Sequence, residues 1–218
     1  MIEGVWAAVP VKEFAGAKQR LASLLTPAQR QVLAAVMLED VLAALVAAPL
    51  AGVMVNTLDP MAQALARRYG ARIVTDDARG GHSGAVAAMA AIMAAEGVTG
   101  MLTCPGDIPA ITAAEVAAVL DAHGAAPAFT IVAAHDARGS NAILLTPPDA
   151  MALRFGDDSF LPHLDAARVH GLTPCIGRAD GIALDLDNPE DVRAFMAAPQ
   201  ARGTRAWGLL TEFLDAMR

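Results

Sequence analysis

The chain has 218 residues, 55% hydrophobic and only 18% charged, which excludes a disordered chain and is ample for one large domain. Aromatic residues are 4%, so the apolar share is mostly Ala, Val, Leu, Ile and Met, a stock that suits helices packed on a buried sheet. With 16 Lys and Arg against 23 Asp and Glu the net charge is -7, the wrong balance for coating a nucleic acid.

Met1 to Gly4 lacks the basic and apolar stretches of a signal peptide. Val5 to Val11 reads as a first strand, and Thr26-Pro27 is a helix start signal for a run from about Ala28 to Ala47. Gly52 to Val55 is a second strand. Asp59-Pro60 opens a helix that ends near Tyr69-Gly70, and Arg72 to Val74 is a third strand. A glycine-rich loop, Arg79 to Gly84, leads into a helix from about Ala85 to Glu96. Gly100 to Cys104 is a fourth strand with the exit loop Pro105 to Pro109, and Thr112 with Glu115 forms a capping box for a helix to about Ala122. Phe129 to Ala134 and Ala142 to Thr146 are strands joined closely enough to pair antiparallel. Ser159 to His170 reads as a helix, Ile182 to Leu186 as a last strand, Asn188-Pro189 as a helix start, and Trp207 to Met217 as an amphipathic tail helix.

Strands alternating with helices predict an α/β fold: a mixed, mostly parallel central sheet with helices on both faces. The chain reads as one domain over residues 1–218, with a helical tail at about 203–218. Apolar tail positions such as Trp207, Leu210 and Phe213 suit packing on the sheet or on a second subunit, so a homodimer stays open. Apolar runs broken at Glu39-Asp40 and Glu96-Gly97 give no membrane span, and Cys104 and Cys175 lie far apart without metal spacing. The expectation is a cytoplasmic protein with no membrane and no nucleic-acid partner.

The dinucleotide fingerprint, the P-loop and the nucleophile elbow are all absent. What remains is cations, carboxylates and small polar residues at strand ends, where an α/β sheet holds its ligand. Lys12, Lys18 and Arg20 follow Pro10 and Val11 on the loop leaving the first strand, a set suited to a polyphosphate or to a merely solvated loop. Asp107 lies between two prolines past the fourth strand, either as a site carboxylate or as a turn residue. Strand alternation puts Asp185 and Asp187 on one face. Like charges so placed call for a hard cation such as magnesium, unless Asp187 or Asn188 only caps the next helix. Ser140-Asn141 and the stretch Phe155-Gly156-Asp157-Asp158-Ser159 offer amides and hydroxyls to an anion, or an ordinary cap at Asp158 or Ser159. Glycines 80 to 84 allow close backbone approach or only a flexible connection. His82, His123, His135, His163 and His170 have no ligand spacing and read as surface or capping residues.

In combination, VPVKEFAGAKQRL, PGDIPAI, GSNAILL, RFGDDSF and DLDNPEDV stand in the order found in the guanylyltransferases of deazaflavin coenzyme biosynthesis, which the chain resembles from Val9 to about Arg193. The resemblance implies a nucleotide-diphospho-sugar transferase-like fold of the glycosyltransferase-A type, similar to the molybdenum-cofactor guanylyltransferases. It implies GTP and a small phosphorylated acid as substrates: 2-phospho-L-lactate, phosphoenolpyruvate or 3-phosphoglycerate. By that likeness Mg2+ falls to Asp107, Asp185 and Asp187, and the triphosphate to Pro10, Val11, Lys12 and Lys18, with Lys12, Lys18 and Asp107 catalytic. The phospho-acid falls to Ser140, Asn141, Gly156 and Ser159, and the nucleotide base to Gly81 and Ser83. The family's base loop usually reads Gly-Leu-Asn where this chain has Gly81-His82-Ser83. Transfer from another NTP or to another acceptor, and a catalytically silent nucleotide-binding protein, are the alternatives.

Overall fold

Local start signals account for most helix boundaries in the computed structural model, which describes residues 3–76, 80–156 and 158–216. Met1, Ile2, Arg79, Asp157 and Met217, all part of the sequence reading, lie outside the described residues. The helices are α1 (Pro27–Ala47), α2 (Pro60–Arg68), α3 (Gly81–Ala95), α4 (Ala113–Ala122), α5 (Phe160–Val169), α6 (Pro189–Ala197) and α7 (Arg205–Asp215). Thr26 with Gln29, Thr112 with Glu115 and Asn188 with Asp191 close reciprocal capping boxes on α1, α4 and α6. Asp59 caps α2, its Oδ1 accepting from Met61 N at 2.8 Å and Ala62 N at 3.0 Å.

The strands are β1 (Val5–Pro10), β2 (Gly52–Asn56), β3 (Arg72–Val74), β4 (Gly100–Thr103), β5 (Ala128–Ala133), β6 (Ser140–Thr146) and β7 (Pro174–Ile176). They form one sheet in the order β3-β2-β1-β4-β6-β5-β7. Among them only β6 runs against the rest, pairing antiparallel with both β4 and β5. The mixed, mostly parallel sheet is therefore as expected.

Period-two alternation sorts each central strand onto two cores. Val5, Ala7 and Val9 of β1, with Ala142 and Leu144 of β6, face α1, α2, α4, α6 and α7. Ala8, Ile143 and Leu145 face the other way, onto α3, α5 and the loop residues Met151 and Leu153. The tail forms α7, which packs on α1 within the first core. Ala206 and Leu210 of α7 are buried in the first core, and Asp40 of α1 accepts from the amides of Arg205 (3.1 Å) and Ala206 (2.9 Å).

Three sequence expectations change. Residues 182–186 are not a strand: they form a turn and an extended segment outside the sheet ladder. Buried Leu184 and Leu186 alternating with half-buried Asp185 and Asp187 imitate strand periodicity, but single hydrogen bonds hold the segment, such as His135 N to Ala183 O at 2.8 Å. The strand in this region is β7, three residues at the sheet edge, parallel to β5. Finally, α3 begins at Gly81, so the glycine-rich loop supplies the helix's first turn, with Gly81 at a φ of 72° that favours glycine.

Asp59 joins fold to site. Its second oxygen, Oδ2, accepts from Phe14 N at 2.8 Å and so pins the loop after β1. Asp59→Ala is expected to lower unfolding stability by about 3 kcal/mol, combining a lost cap with an unpaired buried amide. Asp59→Asn keeps a cap acceptor but turns one site into a donor against Phe14 N, and should lose about half as much. Urea titration checks the ranking; equal losses would show that the Phe14 contact contributes nothing.

Candidate active site

The carboxyl ends of β1 and β4 open onto one edge of the sheet. Because β6 is reversed, its first residues, Ser140 and Asn141, come to that same edge. The loop leaving β1 is bound to the body at several points. Pro10 is buried at the strand end, Val11 N donates to Asn56 O at 2.9 Å, and Phe14 hangs on Asp59. Arg30, buried on α1, donates from Nε to Ala17 O at 3.3 Å and from Nη1 to Leu25 O at 2.8 Å. These ties hold Lys18 in a left-handed conformation, φ 53° and ψ 44°, which costs a non-glycine residue on the order of 1–2 kcal/mol.

The strained turn aims the Lys18 ammonium inward. Nζ lies 2.5 Å from Asp107 Oδ2 and 2.7 Å from Asp187 Oδ1, and the side chain is only 8% exposed. Asp107 reaches it from the loop after β4, and Asp187 from the segment before α6. A backbone bond, Leu186 N to Asp107 O at 3.1 Å, sets those two stretches side by side. The segment is also pressed close at Gly181, where any Cβ would meet Ala110 O at 2.2 Å. The capping alternative holds for Asn188, which makes the α6 cap, whereas the Asp187 carboxylate pairs with Lys18.

Asn141 uses its Nδ2 on this segment, near Ile182 O (3.1 Å), Ala183 O (3.0 Å) and Asp185 Oδ1 (3.0 Å). It therefore positions Asp185. Burial raises the Asp185 pKa, and Asp107 and Asp187 add to the rise against the Asn141 hydrogen bond. Burial also works to raise Asp187, but Lys18, with Arg20 and Lys12 contributing, holds its carboxyl below the usual range. Lys18 titrates above its usual range because the two carboxylates outweigh its burial. Lys12 is exposed on the same loop.

Two carboxylates, Asp107 and Asp187, thus share one buried ammonium, and Asp185 interacts electrostatically with both of them. In kind and in charge this oxygen set fits a hard divalent cation. Among the described residues no three His, Cys, Asp or Glu side chains are already drawn together as such a group, and Lys18 stands between Asp107 and Asp187.

Beside the carboxylates lies a buried polar cluster. Ser140 (8% exposed), Ser159 (5%) and His163 (2%) meet there. His163 lies 3.0 Å from Ser140 Oγ through Nδ1, and Ser159 Oγ donates to Ser140 Oγ at 3.2 Å. Ser159 occupies the N-cap position of α5 but makes no cap hydrogen bond, against the capping alternative. Gly156 is exposed, with open space around its α-carbon.

The expectation of surface or capping histidines fails for three of the five. His163 is interior. His123 is also buried, its two ring nitrogens 2.7 and 2.9 Å from Thr130 and Thr146 hydroxyls. His82, in the first turn of α3, stacks on Phe155 with ring centroids 4.3 Å apart, and burial draws its pKa to about 4. His170 does cap α5, its Nδ1 2.9 Å from Ala166 O, and His135 stays exposed near Asp185 and Asp191. Ser83 of the same first turn accepts from Phe155 N at 2.9 Å, so it links α3 to the loop bearing Gly156. Arg30 and His163 are positioning residues that the motifs did not single out, and Asp59, read only as a helix start, also holds Phe14 of the loop after β1.

The family described as guanylyl transferase CofC like matches residues 5–211. A phosphoenolpyruvate guanylyltransferase of Rubrobacter xylanophilus is 38% identical over 195 residues, 89% of this chain and 94% of its own length. A 2-phospho-L-lactate guanylyltransferase of Methanothermobacter thermautotrophicus is 34% identical over 186 residues, 85% of this chain and 81% of its own. Among solved structures, a protein assigned as a nucleotide-diphospho-sugar transferase from Desulfovibrio desulfuricans G20 superposes with a TM-score of 0.78 at 16% identity. The match covers 99% of this chain and 97% of that one, and shows the shared fold.

Lys18→Met should make stability depend on pH in a predictable way. In the wild type the depressed Asp187 pKa adds stability at neutral pH that is lost as pH falls through the folded value. Without the ammonium, burial and the neighbouring carboxylates raise that pKa, so ionisation costs stability at neutral pH and the cost fades below the unfolded pKa of about 4. The Lys18 contribution itself is constant here, since a raised lysine pKa loses its effect only above about 10. Urea unfolding in a chelator is expected to show a wide gap between wild type and variant at pH 7, narrowing toward pH 4. A gap independent of pH would contradict the assigned coupling.

Proposed function

This chain belongs to the CofC-like guanylyltransferase family and is a nucleotidyltransferase, and from that premise we propose that it joins GTP to a small phosphorylated carboxylic acid with release of pyrophosphate. The acceptor is 2-phospho-L-lactate, phosphoenolpyruvate or 3-phosphoglycerate, the enzyme serves deazaflavin coenzyme biosynthesis, and it works in the cytoplasm. The observation that carries the reading is the Lys18 ammonium between Asp107 and Asp187 at the sheet edge, next to buried Ser140 and Ser159. Cations and carboxylates at one end and neutral donors at the other match a triphosphate beside a small anion.

In the proposed reaction an oxygen of the acceptor phosphate attacks the α-phosphorus of GTP. A new P–O–P link forms, the α–β bridge breaks, and its electron pair leaves with pyrophosphate. A phosphate monoester with a second pKa of about 6 is largely dianionic at neutral pH, so the attack needs no general base. This agrees with histidines that burial keeps neutral, His82 and His163 both titrating at about 4. Lys12 and Lys18 would hold the triphosphate and offset charge moving onto the leaving group. Asp107, Asp185 and Asp187 would hold Mg2+, which when bound supplies charge neutralisation on the phosphates. Alignment of two anions that otherwise repel is the remaining contribution of the chain.

A second reading, transfer from a nucleotide other than GTP, is favoured by one feature. The α3 first turn carries His82, whose Nε2 is buried without a partner, where the family usually has leucine. Pyrophosphate release with magnesium, each of four NTPs against the three acids, decides both questions. Activity with GTP and one acid is expected; activity only with another base would favour the second reading, and none at all would overturn the first. Asp107→Asn should lower turnover by about a hundredfold or more with the fold intact. A near wild-type rate would remove Asp107 from the catalytic set.

A further inference from the structure

Hydrogen-bond inventory at Ser140 leads beyond the motif. Arg154 N donates to His163 Nε2 at 3.1 Å. A main-chain amide can only donate, so Nε2 must be the unprotonated ring nitrogen. Burial pulls the His163 pKa to about 4, so the ring is neutral at working pH and its one proton sits on Nδ1. Nδ1 therefore donates to Ser140 Oγ, 3.0 Å away. Ser159 Oγ donates to the same oxygen at 3.2 Å.

A serine hydroxyl has two acceptor sites and one proton. With Ser159 as the donor of the serine pair, both acceptor sites of Ser140 are filled and its own proton is left for a ligand. Ser140 is thereby left as a donor only. The His163 ring has little freedom to undo this. It is 2% exposed, Phe155 packs edge-on against it at 5.1 Å and 65°, and Arg154 N fixes which way it faces. Ser140 is followed in β6 by Asn141, which holds Asp185, so the two residues lie at the same end of that strand.

We propose that His163 is a positioning residue that commits Ser140 to donate its proton to an oxyanion of the acid substrate, so that this subsite selects for charge and against neutral acceptors. The inference rests on the reading above that the acid is bound over Ser140. His163 touches neither substrate and transfers no proton; its effect passes through one hydroxyl.

Steady-state kinetics on both substrates test it. His163→Leu and Ser140→Ala are each expected to raise KM for the acid about tenfold, the worth of one hydrogen bond to a charged group, with KM for GTP unchanged. The double variant should be no worse than Ser140→Ala, because both remove the same donor. His163→Asn keeps an N–H near the Nδ1 position and should recover most of the acid affinity. His163→Gln carries its amide further out, near the Nε2 position, and should not; this pair decides the matter if the leucine variant fails to fold. Additive losses, equal rises in both KM values, or no Asn/Gln difference would overturn the role given to His163. Wild-type enzyme inactive with every acid would overturn the functional reading and this inference together, whereas active wild type with unchanged acid KM in the variants would overturn the inference alone.

Discussion

One ammonium ties together three stretches of chain that are distant in sequence: the loop after β1, the loop after β4 and the segment before α6. Lys18 can do this only because its own loop is fixed first, by Asp59 holding Phe14 and Arg30 holding Ala17. Those anchors offset a left-handed backbone that the sequence around Lys18 would not choose locally. The result is an ion cluster with a charge deficit. Breaking a buried pair is costly because it strands a charge, but here one partner carboxylate is 44% exposed and part of that cost is screened. Burial is what chiefly raises Asp185, and the unbalanced negative charge of Asp107 and Asp187 adds to the rise.

The sheet determines what stands around that cluster. In open α/β sheets the ligand crevice lies beyond the carboxyl ends where the chain switches sides, and here β1 lies between β2 and β4. The loops after β1 and β4 lead to α1 and α4 on the same face of the sheet and meet at its carboxyl edge, where Lys18 reaches Asp107. The reversed β6 adds a strand beginning at the same place, so side chains such as Ser140 come from a rigid ladder. Charged groups rest on loops, whereas the neutral donors Ser140 and Ser159 stand at the start of β6 and at the N-terminus of α5. That division suits a site in which the donors must stay fixed while charges adapt to incoming anions.

Legibility in the sequence follows the range of the interactions. The caps at Thr26, Asp59, Thr112 and Asn188 were legible because each is complete within four residues. The central strands were legible because both faces are covered, giving dense apolar runs. β7 was not, since Pro174-Cys175-Ile176 is short and half exposed at an edge, with nothing to distinguish it from a loop. Residues 182–186 were misread for the converse reason: two buried leucines alternate with two aspartates because the segment lies along the core surface, and alternation alone does not require a ladder. Asp107, Asp185 and Asp187 could be nominated from their loops, and the structure brings them to one edge. His163 could not, because its partners stand at 140 and 154 and nothing adjacent in sequence announces them.

Departures from ordinary rules of folding concentrate on that edge. Among the described residues, Asn56 Oδ1, Thr103 Oγ1 and His82 Nε2 are buried without partners. Asn56 ends β2, Thr103 ends β4, and His82 lies in the first turn of α3. Lys18 with its positive φ and Asp185 with its raised pKa belong to the same region. His123 is the internal control. It is buried too, but beside Thr146 at the opposite end of β6, and both of its ring nitrogens meet hydroxyls. Unsatisfied groups cost roughly 1–3 kcal/mol each, so their clustering at one end of a chain that satisfies comparable groups elsewhere needs a cause. A site that must present charge and hydrogen-bonding capacity to two anions supplies one: groups already paired within the fold have less to offer a ligand.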